Sequence, residues 1–492
     1  MTEKIFFSAK VAVVALFALA LSATALRFYS LGEQSLWIDE GYTINAALSI
    51  AEEGVPVLPS GAVYSHSVLS SYLVALSMKV FAFDPFSPWS ARVPAALFGC
   101  ALVFVSYALA QRLFRDRLGS LLVAFIVSFS SLEIAWSRQA RGIILVSFFV
   151  VSALWLFAKY LDSRKPSHAW ASLGAIVLGA LSHPVGFAFV PAHAALLLWG
   201  HFSQRGDRKG GFAALVGYTA ISVALGLFAV EIFREGGLRE FAYAARFLPF
   251  LFGDMLPFTV LASCGAAVGL ALKEARRPTA AILALVSGSL IVATIGSGAT
   301  QYRYLIPFLP LMAVLGIYGA RQLLTFILKD RLLASFASAL SVLAIFFSSL
   351  TFVPKSEYRL EFGSPQPDFK STFRKIRELG AQGDLVISPY AQLHRVYLGE
   401  PGRWLLMSIG KKGDESKGVA NGVDYYAGAP ILYGVDSLRE LVPTGHGFVV
   451  IDGMARYRLA QIVSYLESDP GISLVYHDSG ESEDSKIWLY RF

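Results

Sequence analysis

The segment Ser35-Leu36-Trp37-Ile38-Asp39-Glu40-Gly41-Tyr42-Thr43 places two adjacent carboxylates, Asp39 and Glu40, shortly after the first apolar segment of the chain. Ionised side chains beside a lipid bilayer are costly, so they must be solvated, paired with a cation or used in function. The remainder of the sequence favours a function for this acidic pair.

The composition is that of an integral membrane protein. Of the 492 residues, 55% are hydrophobic and only 16% are charged, whereas soluble domains carry about 25% charged residues. The net charge of +7 does not indicate nucleic-acid binding, because the Lys and Arg residues recur in short loops between apolar segments and form no stripe. Cys100 and Cys264 lie in apolar segments and give neither a metal-binding pattern nor a disulfide framework.

Apolar segments of bilayer length recur along most of the chain. We predict about eleven transmembrane helices, since each needs roughly 20 apolar residues. They cover roughly residues 11–29, 93–113, 118–137, 143–161, 169–183, 184–200, 211–231, 251–272, 279–299, 304–320 and 332–353. The first is expected to remain uncleaved, although Ala23-Thr24-Ala25 resembles a signal-peptidase site. Residues 169–200 could instead be one long helix broken at His183-Pro184.

The loop charges orient these helices. With eleven spans, most Lys and Arg residues of the membrane part fall on the side of the N-terminus, and the positive-inside rule makes that side cytoplasmic. One span over residues 169–200 would move several basic residues between 205 and 277 to the opposite side. We therefore predict a multi-pass protein of the cytoplasmic (inner) membrane with its C-terminus on the outer, periplasmic side.

Two domains are predicted. Residues 1–354 form a transmembrane domain with a long first outer loop, residues 30–92, in which the apolar stretch 70–83 is too short to span and indicates an interfacial or re-entrant helix. Residues 355–492 follow a proline-marked linker and form a small soluble α/β domain, because short strand and helix patterns alternate. The predicted helices are 368–380, 393–398 and 459–466, and the predicted strands are 384–388, 447–452, 472–476 and 487–490.

A set of polar residues is predicted to share the outer surface with the acidic pair. Each has an ordinary structural interpretation: arginines extend to lipid head groups, and tyrosines belong to an interfacial belt. Their position on one side favours a site for the head group of a lipid-linked substrate. The set comprises His66, Glu133, Arg138, Gln139, Arg141, His183, Arg234, Arg239, Arg246, Gln301, Tyr302, Arg303 and Tyr304.

The order of these motifs resembles the GT-C class of membrane glycosyltransferases, especially the bacterial relatives of the protein O-mannosyltransferases and of the lipid A aminoarabinose transferase. The resemblance is carried by residues 36–40 (LWIDE), His66 with Tyr72-Leu73, residues 91–99 (ARVPAALFG), 136–142 (WSRQARG), 182–184 (SHP) and 303–307 (RYLIP). Two positions depart from the pattern. Ser67-Val68-Leu69 stands where prolines are usual, and Gly142 follows Arg141 where a bulky residue is usual.

The resemblance implies transfer of a sugar, with inversion, from a polyprenyl-phosphate donor to an acceptor glycan, lipid or protein. It implies Asp39 as the general base and Glu40 as a group that orients its neighbour or the acceptor. Arginine forks suit the donor phosphate, and the implied donor-binding residues are Arg138, Arg141, Arg303, Tyr302 and Tyr304. The remaining polar lining would comprise His66, Glu133, Gln139 and His183. Some relatives bind a divalent metal, for which His66 and Glu133 could be ligands.

Two other classes of function stay open at this point. Charged residues in a membrane protein also mark transporters and lipid flippases, but no repeated halves are visible. A non-catalytic scaffold that presents the C-terminal domain is the third interpretation. Membrane lipids are expected partners in every case, and nucleic acid in none.

Overall fold

The computed structural model describes residues 8–202, 250–296, 302–349, 367–380, 383–399, 403–405, 419–420, 423–424, 426–480 and 483–492. The chain forms two compact units. The first unit comprises Met1–Tyr29, Ala95–Arg138 and Gly142–Pro354, and the second comprises Ser30–Pro94, Gln139–Arg141 and Lys355–Phe492. The first outer loop and the C-terminal part therefore belong to the same unit, whereas the linear boundary at residues 354 and 355 stays a prediction.

Apolar helices make up the described part of the first unit. They are α1 (Ala9–Phe28), α4 (Trp89–Phe114, whose first residues up to Pro94 belong to the second unit), α5 (Arg117–Phe129), α6 (Ser131–Ser137), α7 (Ile143–Ser163), α8 (Pro166–Ser182), α9 (Phe189–Phe202), α10 (Leu256–Ala271), α11 (Arg276–Gly296), α12 (Leu309–Leu328) and α13 (Arg331–Ser349). Two further helices, α2 (Ile38–Glu53) and α3 (Val68–Phe81), lie between α1 and α4 in the sequence and belong to the second unit.

Several of these helices are long and apolar enough to cross a membrane. Within the described ranges there are 4: α1, α4, α7, and the segment Arg303–Leu328. The helices α5 and α6, bent by 55°, add a fifth if they count as one span. The protein is thus a polytopic, mainly α-helical membrane protein, as predicted. The total of about eleven spans stays a prediction, and its segment 211–231 lies outside the described residues.

The chain reverses direction between α8 and α9. His183 is extended (φ −164°, ψ 147°), and a 3₁₀ turn, Pro184–Ala188, follows it. Ser172 of α8 is hydrogen-bonded to His193 of α9 at 2.8 Å. In the turn, Gly186 lies so close to the backbone of Gly179 that a Cβ atom would clash. Residues 169–200 therefore form two antiparallel helices and not one broken helix.

The first outer loop contributes two helices to the second unit, α2 (Ile38–Glu53) and α3 (Val68–Phe81), which pack against each other. Helix α3 confirms the helix predicted at 70–83. Helix α2 was not predicted, and it places Asp39 and Glu40 in a first helical turn. Carboxylates are favourable there because the N-terminal end of a helix carries partial positive charge. The helix ends at Gly54, whose φ of 81° suits glycine.

The C-terminal part of this unit is an α/β layer. Its sheet has the order β5-β2-β1-β6-β8-β7, in which the first four strands pair in parallel and β8 pairs antiparallel with both β6 and β7. The strands are β1 (Leu385–Ser388), β2 (Arg403–Leu405), β5 (Ile431–Leu432), β6 (Gly447–Asp452), β7 (Ser473–Asp478) and β8 (Ile487–Arg491), with a separate pair β3 (Val419–Ala420) and β4 (Val423–Asp424). The helices are α14 (Phe369–Leu379), α15 (Ala391–Leu398), α16 (Gly434–Leu441), α17 (Gly453–Arg458) and α18 (Ala460–Ser468).

All seven predicted elements of this domain are confirmed, while β2 to β5, α16 and α17 were not predicted. The side chains of β6 alternate between two cores, because successive residues of a strand point to opposite faces. Val450 belongs to a core that also contains Ile44 of α2 and Val74 of α3. Val449 and Ile451 belong to the other core, under α16 and α18. The sheet and the loop helices thus share one hydrophobic core.

Candidate active site in the first outer loop

Glu40 is part of a fully buried ion pair. Its two carboxylate oxygens lie 2.8 Å from Nε and Nη2 of Arg92, in the bidentate geometry that suits a guanidinium. They also accept the backbone N–H groups of Trp37 at 3.0 Å and Ala140 at 2.8 Å. Glu40 therefore joins helix α2 to the start of α4 and to the segment 139–141, and no edge of its carboxylate faces solvent.

Arg92 is equally committed to this contact. Besides Glu40 it donates to the carbonyl oxygens of Leu31 (2.9 Å), Gln34 (3.0 Å) and Ser35 (3.0 Å). A guanidinium has five N–H donors, and all five are used. Arg92 fixes the chain that leads into α2, a role that the sequence did not reveal although Arg92 belongs to the motif at 91–99.

Asp39 differs from its neighbour in being accessible. Its carboxylate lies 3.4 Å from Nη2 of Arg141, and the two side chains are 18% and 9% exposed. Nη1 of Arg141 donates to the backbone oxygen of Asp39 (3.1 Å), to Thr43 (3.4 Å) and to the hydroxyl of Tyr64 (3.2 Å). Arg141 therefore holds the first turn of α2, while the Asp39 carboxylate keeps part of its surface exposed.

The C-terminal domain holds the opposite side of α2. The hydroxyl of Tyr397 accepts the N–H of Leu36 at 3.0 Å, and the backbone oxygen of Gln392 accepts a hydrogen bond from Asn45 at 2.8 Å. Between them Gly41 packs so closely that a Cβ atom would lie 3.1 Å from Leu393. Burial raises the pKa of Tyr397 and keeps its hydroxyl neutral. The helix that bears the acidic pair is thus fixed from two sides.

Three further titratable groups of this unit, Tyr42, Tyr426 and Asp424, lie near one another. The rings of Tyr42 and Tyr426 are stacked with centroids 4.0 Å apart. Burial raises the pKa of Tyr42 well above its usual value, and the charges of Asp39 and Asp424 act in the same direction. Burial also raises the pKa of Asp424 to about 6, against the effect of two backbone N–H groups. None of these residues was among the sequence predictions, since no motif marks them.

Two more predicted residues belong to this unit. The ring of His66 stacks on that of Tyr64 with centroids 5.9 Å apart, and Tyr64 is the residue that accepts a hydrogen bond from Arg141. Gln139 is buried in the same short segment as Arg141. The structure therefore brings Asp39, Glu40, His66, Gln139 and Arg141 into one compact unit.

Other predicted residues meet in the first unit. The guanidinium of Arg303 lies 5.9 Å from the ring of Trp136 and 5.8 Å from that of Tyr304. The ring of Tyr304 lies 5.9 Å from that of His183. Arg303, which is 8% exposed, therefore sits between aromatic faces that attract a cation.

Arg138 has a structural partner in the same unit. Its Nη1 donates to the carbonyl oxygens of Leu26 (3.1 Å) and Arg27 (3.3 Å), and also to that of Tyr29. These are orphan acceptors at the end of α1, which a basic side chain can satisfy. The buried guanidinium of Arg138 thus caps α1, and its predicted contact with a donor phosphate stays untested.

Glu133 is buried beside this cap. It lies in the first turn of α6, and neither carboxylate oxygen has a hydrogen-bond partner among the described residues. The charge of Arg27 acts on it, while Arg27 itself is hydrogen-bonded to Ser137 at 3.1 Å. An unsatisfied buried carboxylate is costly, so Glu133 remains a candidate for a polar contact with a substrate.

Five of the predicted polar residues have side chains outside the described part of the structure. Tyr302 begins a 3₁₀ turn, Tyr302–Phe308, but only its backbone is described. Gln301, Arg234, Arg239 and Arg246 lie outside the described residues. Across the ranges that the structure covers, no group of three or more His, Cys, Asp or Glu residues could hold a metal ion.

Part of the sequence and most of the fold are similar to known proteins. Residues 65–232 match the family described as dolichyl-phosphate-mannose-protein mannosyltransferase. A protein from Aquifex aeolicus (strain VF5), described as uncharacterized, is 28% identical over 170 residues, and this match spans 33% of the length of each chain.

Two solved structures share the fold over most of the chain. ArnT from Cupriavidus metallidurans bound to undecaprenyl phosphate is 14% identical, with a TM-score of 0.61 and 98% of each chain covered. The oligosaccharyltransferase from Archaeoglobus fulgidus, tethered to an acceptor peptide, is 13% identical, with a TM-score of 0.58 and coverage of 93% of this chain and 71% of that one. The chain therefore shares the GT-C fold of these two structures, and its residues 65–232 are similar to the mannosyltransferase family model.

Proposed function

We propose that this protein transfers a sugar from a polyprenyl-phosphate donor to an acceptor on the outer side of the cytoplasmic membrane, with inversion, and that Asp39 is the general base. The observation that carries the proposal is the division of the acidic pair. Glu40 is buried and fully hydrogen-bonded, whereas the neighbouring Asp39 is accessible and held by Arg141. A carboxylate that is fixed yet open to a substrate is what proton abstraction requires.

In the proposed step the acceptor oxygen attacks the anomeric carbon while its proton passes to Asp39. The bond between that carbon and the phosphate oxygen breaks, and its electron pair leaves with the polyprenyl phosphate. Arg141 keeps Asp39 in place, and Glu40 supports the same helical turn through Arg92. The charge that develops on the leaving phosphate calls for fixed cations, a role that the family resemblance assigns to arginines. The similarity of the fold to ArnT from Cupriavidus metallidurans, which was solved with bound undecaprenyl phosphate, supports this donor class.

The test is Asp39→Asn, with Asp84→Asn as the matched control. Asp84 lies in the same loop, is exposed, and accepts one backbone N–H that an asparagine oxygen can also accept. We expect Asp39→Asn to insert and fold normally but to lose ~10²–10⁴-fold in transfer rate, measured on purified protein with a panel of polyprenyl-phosphate sugars. Near-normal turnover at equal protein concentration would show that Asp39 is not the base, and the transporter or scaffold functions would then become the better explanations.

The proposed orientation has its own test. An alkaline phosphatase fused after Phe492 should be active, because the reporter folds only outside the cytoplasm, and a cytoplasm-specific reporter at the same place should be silent. The reverse pattern would place the acidic pair on the wrong side for a polyprenyl-phosphate donor that is presented at the outer surface.

A further inference from the structure

A turn of the C-terminal domain is shaped to present Tyr426 to helix α2. The Asp424 carboxylate accepts the backbone N–H groups of Tyr426 at 3.1 Å and of Ala427, which closes the turn. Gly428 follows with φ +64°, and a Cβ atom there would lie 2.8 Å from the backbone oxygen of Pro59. Only glycine suits that conformation and that approach. The turn therefore has one shape, seated on the first outer loop.

The turn ends beside the proposed base. Tyr426 stacks on Tyr42, which lies one helical turn after Asp39 on the same face of α2. Both rings pack on the small core that contains Tyr64, the residue that accepts a hydrogen bond from Arg141. A continuous row of contacts thus leads from the C-terminal domain to Asp39.

The two stacked rings are not fully covered. Tyr42 and Tyr426 are both half-buried, whereas Tyr64 below them is buried. The pair therefore keeps accessible surface one helical turn from the accessible carboxylate of Asp39.

We propose that Tyr42 and Tyr426 form an aromatic platform that binds a sugar ring of the acceptor, so that the C-terminal domain is part of the acceptor site. The proposal rests on the proposed function, because Asp39 is the base to which the acceptor hydroxyl must be presented. A pyranose offers weakly positive C–H groups to the negative face of an aromatic ring, and its hydroxyls can bond to the phenols and to Asp39. A serine or threonine side chain has a single hydroxyl and no ring-sized apolar face.

The experiment measures binding without transfer. Full-length protein in detergent is titrated with methyl glucoside, methyl mannoside, methyl N-acetylglucosaminide and a blocked Ala-Thr-Ala peptide, and saturation-transfer NMR reports which probe binds. The variants are Tyr426→Ala, Tyr426→Phe, Tyr426→Leu and the control Tyr457→Ala, whose side chain is 88% exposed in the same domain. Tyr426→Leu fills the space without a ring and guards against a variant that fails to fold.

We expect at least one glycoside to bind the wild type, Tyr426→Phe and Tyr457→Ala, and to bind about tenfold more weakly to Tyr426→Ala and Tyr426→Leu. Equal binding to all variants, no glycoside binding to the wild type, or preference for the peptide would each overturn the platform. The glycoside-binding measurement requires neither a sugar donor nor proton transfer to Asp39. A failure of Asp39→Asn to reduce transfer would therefore leave the platform standing. Loss of transfer in Asp39→Asn, combined with equal glycoside binding by the wild type and Tyr426→Ala, would refute the platform alone.

Discussion

The substitution Glu40→Gln tests whether the acidic pair is divided between stability and chemistry. The side chains of Arg92 and Glu40 are 2% and 1% exposed, and every group around the Glu40 carboxylate is a donor. A glutamine would keep one acceptor oxygen, but its NH₂ group would face N–H groups, and the Arg92 charge would lose its counter-ion. Breaking a buried ion pair by removal of one partner costs about 3–5 kcal/mol.

The expected effect is large enough to measure directly. For a unit of this size about 1 kcal/mol corresponds to roughly 2–4 °C, so Glu40→Gln should lower the melting temperature by at least about 6 °C. The assay is thermal unfolding of the purified protein in detergent. Glu52→Gln is the matched control, because Glu52 lies on the same helix but is 62% exposed in its ion pair with Arg395. Such a pair contributes less than about 1 kcal/mol.

The reasoning would be refuted if Glu40→Gln and Glu52→Gln melted within about 2 °C of each other. It would also fail if Arg92→Met were harmless. That variant leaves the carbonyl oxygens of Leu31, Gln34 and Ser35 without their donor, in addition to the Glu40 charge. We therefore expect Arg92→Met to cost at least as much as Glu40→Gln.

Three other predictions use the same unit. Arg141→Lys keeps the charge but loses the planar fork that contacts Asp39, so transfer should fall in a turnover assay; unchanged turnover would leave Arg141 with a structural role only. Burial raises the pKa of Asp424 from its usual 3.8 to about 6 in the folded protein, so its contribution to stability falls as pH rises between these values. In thermal melts across that range, Asp424→Asn should be about 3 kcal/mol more stable than the wild type above pH 6 and equal to it near pH 4. A difference that does not change with pH would contradict the raised pKa. Gly41→Ala should destabilise the folded protein by about 1–3 kcal/mol, because its Cβ would press on the C-terminal domain. Gly174→Ala, which lies in open space within α8, should stabilise the folded protein by up to about 1 kcal/mol. Equal effects of the two substitutions would remove the argument for close packing at Gly41.

Local patterns predicted much of the architecture. Hydrophobic runs identified the membrane class and the helices at 9–28, 89–114 and 143–163, since burial in lipid requires long uninterrupted apolar segments. Short β-branched runs identified the strands at 385–388 and 447–452, because a strand that is buried on both faces is apolar along its whole length. The interpretation of residues 169–200 as two segments came from loop charges, which respond to topology and not to packing.

The contacts that separate the two carboxylates were decided by the tertiary structure. The resemblance implied Asp39 as the base and Glu40 as an orienting group, but in the sequence the two are adjacent carboxylates, and nothing local shows which of them is buried in an ion pair. The difference arises because Glu40 meets Arg92, 52 residues away, while Leu36 meets Tyr397, 361 residues away. Amino-acid periodicity carries information only over a few residues, whereas ion pairing, desolvation and aromatic stacking depend on which distant segments the fold brings together.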